Sequence, residues 1–146
     1  MKTKATFILS LIAAGLIIIS SCEKEGENET KISTATSDDS HNNGQDCMSC
    51  HKQGGDGEGW FTAAGSVYNT SGGSVYFYSG INGTGELKKE VEIDKKGNFY
   101  TTENFEVSGL YPQVISSNGD TLYMSQSLTG GSCSSCHGNS QAKITF

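Results

Sequence analysis

The stretch Val91 to Thr102, VEIDKKGNFYTT, decides the fold. Leu87, Val91 and Ile93 alternate with charged residues, which is the period of a half-buried strand. Lys95-Lys96-Gly97-Asn98 then signals a turn. After it, Phe99-Tyr100-Thr101-Thr102 resumes with the aromatic and β-branched residues that suit a pleated surface. Two such runs joined by a short Gly/Asn connection read as neighbouring antiparallel strands.

The same pattern repeats outward from this stretch. WFTAAGSVYN (60–69), GSVYFYSG (73–80), GLYPQVISS (109–117) and DTLYMSQS (120–127) are short runs rich in Val, Tyr, Phe, Ile and Thr. Turn signals rich in Gly, Asn and Ser separate them. Val75 and Phe77 alternate with Tyr76 and Tyr78. No stretch has helical periodicity. The expectation is a mainly β protein, a small antiparallel β-sandwich of six strands between Trp60 and Ser125. AGSVYN, GSVYFY, VEIDKKGNFYTT and GLYPQVISSNGDTLYM, with Asp94, Gly97, Phe99, Gly109 and Tyr111, resemble the carboxypeptidase-regulatory-like (prealbumin-type) β-sandwich. That resemblance implies a scaffold and no activity of its own.

Two short motifs flank the strands. Cys47-Met48-Ser49-Cys50-His51 and Cys133-Ser134-Ser135-Cys136-His137 are both C-x-x-C-H, and they use four of the five cysteines and two of the three histidines. This is the attachment sequence of c-type haem. Two thiols one helical turn apart reach the two vinyl groups of one porphyrin, and the histidine that follows turns toward the iron. Cys47, Cys50, Cys133 and Cys136 are therefore expected as thioether positions of two covalent haems, on short helical segments at both ends of the sandwich. His51 and His137 are expected as the proximal ligands. A disulfide within each pair, a thioredoxin-like site and a four-thiolate zinc site are the alternatives. None of them explains a histidine in the same place twice.

The chain opens MKTKATFILSLIAAGLIIISSC, two lysines before an apolar run, as in a secretory signal. Ile19-Ser20-Ser21-Cys22 resembles the lipobox of bacterial lipoproteins. That resemblance implies cleavage before Cys22, lipidation of Cys22 and export to a membrane surface, the outer membrane facing periplasm or cell exterior. The expected organisation is a signal peptide over 1–21, an acidic flexible tether over 22–44 and a dihaem domain over 45–146. Cleavage removes Lys2 and Lys4. Eight lysines then stand against 16 acidic residues with no arginine, a net charge of −8. Such a chain lacks the basic footprint that nucleic acid requires.

Each iron has one further axial position. Among the remaining side chains, His41 and Met124 are the candidate distal ligands, and the sequence does not say which serves which haem. Met48 lies between its own two cysteines. Met124 could equally pack beside Tyr123 in a strand, and His41 could be a solvated tether residue. Phe61 is expected to begin the sandwich core, and Trp60 either to join it or to cover a haem. An even strand count should bring the two motifs to one pole.

In sum the chain resembles a small dihaem c-type cytochrome lipoprotein. This implies electron transfer with redox or haem-protein partners outside the cytoplasm, self-association being open. No grouping of residues points to an enzyme. The rivals are a subunit of a larger haem-chain assembly and a peroxidase-like enzyme or gas sensor with one open iron.

Overall fold

A computed structural model of the chain describes residues 27–146. The expected signal peptide and Cys22 lie outside the described residues. Seven strands form two sheets: β1 (Ala63–Tyr68), β2 (Gly73–Tyr78), β3 (Leu87–Glu92), β4 (Asn98–Thr101), β5 (Tyr111–Ser116), β6 (Thr121–Tyr123) and β7 (Ile144–Thr145). One sheet has the order β4-β1-β7 and the other β3-β2-β5-β6. The pairings between these strands are antiparallel except the short parallel contact of β7 with β1. The expected mainly β, sandwich-like fold is present, with six strands between the two motifs.

The core lies between the sheets. Val75, Phe77, Val91, Ile93 and Phe99 are almost fully buried and cluster with Ala63, Val67 and Val114. Burying a side chain such as Phe77 contributes roughly 1.5–3 kcal/mol. On β2 the expected alternation holds, with Val75 and Phe77 inside and Tyr76 and Tyr78 half-exposed. On β3 it fails at Leu87, which is exposed. A register shift between Phe77 and Tyr78 pairs Phe77 with Lys89 but Tyr78 with Leu87. One extra residue there turns Leu87 away from the core face.

The connection from β3 to β4 explains the opening stretch. Asp94 Oδ1 accepts from the backbone N–H of Lys96 and of Asn98, each at 2.9 Å. Gly97 sits at φ +83°, and a Cβ on it would lie 2.2 Å from the Val67 carbonyl oxygen. Only glycine fits there without displacing β1.

The segment upstream of the first motif departs from the expected tether. Ser33 N donates to Tyr100 O, and Thr102 N donates to Lys31 O, both at 2.9 Å. Ile32 bridges antiparallel to Thr101. The segment thus covers the free edge of β4. Ser33 Oγ also donates to Glu92 O of the other sheet at 2.6 Å. Composition suggested flexibility because the segment has almost no apolar side chains. It docks through backbone groups and small hydroxyls, which composition does not weigh.

Candidate haem-attachment sites

Both C-x-x-C-H motifs form the same local structure. Cys47–Ser49 and Cys133–Ser135 are single 3-10 turns. The His51 and His137 N–H groups close them by donating to Cys47 O at 2.9 Å and Cys133 O at 3.0 Å. In each, the serine before the second cysteine reaches back three residues. Ser49 Oγ donates to Asp46 O at 2.7 Å, and Ser135 Oγ donates to Ser132 O at 2.6 Å. This repeated serine was visible in the sequence as C-x-S-C-H but was not read.

The two imidazoles are oriented alike. His51 Nδ1 lies 2.8 Å from Glu58 O, and His137 Nδ1 lies 2.7 Å from Ala142 O. A carbonyl only accepts, so Nδ1 carries the proton and Nε2 keeps its lone pair. Metal-bound histidines generally show this arrangement. The glycine-rich segment after His51 packs on the imidazole: a Cβ on Gly57 would lie 2.7 Å from His51 Nδ1. Phe61 stacks on the same imidazole, ring centroids 4.2 Å apart and planes 10° apart, and Tyr100 stacks on Phe61 at 5.0 Å. Phe61 therefore belongs to this site rather than to the core cluster, and Trp60 lines neither cavity described next.

Each motif borders a cavity. The first, about 480 Å³, is lined by Cys47, Cys50, His51, His41, Phe61, Asn98 and Tyr100 among others. The second, about 540 Å³, is lined by Cys133, Cys136, His137, Met124, Phe99, Val75, Val114 and Leu122 among others. Both volumes fall in the range of ordinary small-molecule and cofactor sites. Phe99 faces the core, so its strand neighbours Asn98 and Tyr100 face the outside of the three-stranded sheet. The first cavity is thus on that outer face, and the second opens at the mouth between the sheets.

The motifs meet beside β1. Ser132 Oγ donates to Asp46 Oδ1 at 2.5 Å, tying together the residues that precede the two first cysteines. The two motifs do come to one pole, with their cavities on opposite sides of the sheet that contains β1.

All four described cysteines are free, so neither pair is bridged here. Cys133 is buried, and burial first, then the neighbouring Cys136 and Cys47, push its thiol up to about 12. Burial raises Cys47 as well. Cys50 and Cys136 are exposed. Among the described residues no three His, Cys, Asp or Glu side chains form a metal-binding group, so the four thiols do not converge as a zinc site requires. No strand–helix–strand unit of the thioredoxin type is present among them either. The donor set of each motif, two thiols and one imidazole with a bare Nε2 beside a cavity, fits a covalently held haem.

No helix among the described residues is long and apolar enough to cross a membrane. Comparison with protein families, with curated proteins and with solved structures finds no match to this chain.

Proposed function

We propose that this protein is a dihaem c-type cytochrome, tethered to a membrane by lipid on Cys22, that carries single electrons between redox partners outside the cytoplasm. One observation carries the reading. Two C-x-x-C-H segments 86 residues apart fold into the same turn, each with its histidine Nδ1 bonded to a backbone carbonyl and each beside its own cavity. Haem iron, when bound, supplies a reversible one-electron change. The chain's own residues do the rest. Cys47, Cys50, Cys133 and Cys136 hold the two porphyrins, while His51 and His137 ligate the irons. Phe61 and Tyr100 wall the first site, and Leu122, Val75 and Val114 exclude water from the second.

Haem content of the mature protein tests this. A pyridine-haemochrome assay with intact mass after acid-acetone extraction should report two covalently retained haems per chain. A mass equal to the bare polypeptide ends the reading. Membership of a larger haem-chain assembly is the second reading, favoured by cavities that open in different directions. A soluble form that elutes from size exclusion as a multimer would support it.

A further inference from the structure

The strongest unused feature is a buried polar network on the outer face of the three-stranded sheet. Asn98 is 2% exposed and Ser66 4% exposed, yet both are polar. Burying such groups is costly unless they are bonded. Ser66 Oγ donates to Asn98 Oδ1 at 2.6 Å, and Asn98 Nδ2 donates to Ser40 Oγ at 2.8 Å. Asn43 Nδ2 donates to Lys96 O at 2.8 Å and to Asn98 Oδ1 at 3.2 Å. Gly44 N donates to Ser66 Oγ at 2.8 Å, and Lys96 Nζ donates to Ser40 O at 2.7 Å. All of these bonds except the one between Ser66 and Asn98 hold Ser40, Asn43 or Gly44. Within that span only His41 and Asn42 join none of them, and they are held between residues that do.

His41 stands over the first cavity. Its ring centroid is 5.8 Å from that of His51, with the planes 35° apart, and both rings line the same space. Two imidazoles that share one metal, each nitrogen about 2 Å from it, have centroids about 6 Å apart. The observed separation of 5.8 Å is close to that value. Met124 lines the cavity of the second motif, at the border of the core cluster against which it packs. It follows β6, and its N–H donates to Pro112 O at 3.0 Å. Its half-buried side chain lines the cavity of Cys133, Cys136 and His137. Neither residue lines the other's cavity.

We propose that His41 is the distal ligand of the first haem iron and Met124 that of the second, with the Asn98 network as the device that positions His41. The proposal rests on the haem reading of the two motifs. It makes the haems inequivalent, one bis-histidine and one histidine/methionine, the second with the higher potential because thioether ligation favours the reduced iron. His41 then explains why a sandwich buries Asn98 and Ser66 where apolar residues would serve.

The experiment compares matured wild type with His41→Ala, His41→Met, Met124→Ala and Asn98→Ala. Haem content, near-infrared absorption, EPR and carbon monoxide binding by the ferrous form are measured on each. Wild type should show two haems, all low-spin, and the thioether-to-iron charge-transfer band of one haem. His41→Ala should keep both haems and the band, while half the iron becomes high-spin and binds carbon monoxide. His41→Met should double the band. Met124→Ala should abolish the band and open the other half of the iron. Asn98→Ala, with its histidines intact, should give a high-spin fraction that adds nothing when combined with His41→Ala.

Two haems with an unchanged spectrum in His41→Ala, or no second thioether band in His41→Met, overturn the assignment of His41. A band that persists in Met124→Ala overturns that of Met124. Wild type without haem overturns the underlying reading, whereas these variant outcomes leave it standing.

Discussion

Position 97 and position 133 each carry a consequence that one side chain decides. At Gly97 the positive φ and the 2.2 Å approach to Val67 O leave no room for a methyl group. Gly97→Ala should lower stability by about 1–3 kcal/mol, the cost of a strained backbone position, read as a fall in the midpoint of thermal or urea unfolding. Cys133 has a thiol raised from 9.0 to about 12 by burial. A folded pKa above the unfolded one means the fold favours the protonated thiol. Its contribution to stability is complete below pH 9 and is lost as pH climbs toward 12. Protein made without haem should therefore weaken in that alkaline window. At neutral pH a thiol reagent should label the exposed Cys50 and Cys136 well before Cys133. Equal labelling rates at all four positions would contradict the burial seen here. In haem-loaded protein all four should be silent.

Strands were the legible elements, because a buried face writes its period into the sequence. Val75 and Phe77 against Tyr76 and Tyr78 needed nothing else. Leu87 was misjudged because a bulge is set by pairing between strands and leaves no mark in one of them. The motifs were legible as a repeated set of two thiols and one imidazole, and both fold into the same turn. Their surroundings were not: Phe61, Tyr100, Asn98 and Ser66 look like ordinary strand residues, and only the register of β1 with β4 brings Ser66 opposite Asn98. The docked edge segment was missed for a similar reason, because its bonds are made by backbone and serine. A test belongs at this scale. Ser33→Ala removes a hydroxyl that donates to Glu92 O and accepts from Tyr100 N. The loss should cost about 1–3 kcal/mol and speed proteolysis within residues 27–44, with the strands beyond protected. Unchanged cleavage there would mean the segment does not depend on this bond. Ser132→Ala, which breaks the bond to Asp46, should loosen the two turns from each other while leaving haem content at two.

For the whole molecule, anchoring and haem binding should separate cleanly. Cys22→Ser is expected to move the protein from the membrane fraction to the soluble one with an unaltered haem spectrum. Retention in the membrane would mean that something other than lipid on Cys22 holds it. The segment over 31–44 is docked rather than loose. On the proposed anchoring, the nine residues from Cys22 to Lys31 would span at most about 30 Å when fully extended, which would hold the first cavity near the bilayer surface. The position of β1 has a kinetic consequence on the proposed reading. A carrier with a single opening must let go of its donor before it meets its acceptor. A carrier whose two openings lie on opposite sides of one sheet can hold both at once. Turnover in a reconstituted system should then saturate through a ternary complex, with intersecting rather than parallel double-reciprocal lines, and the donor and acceptor should not compete with each other for binding.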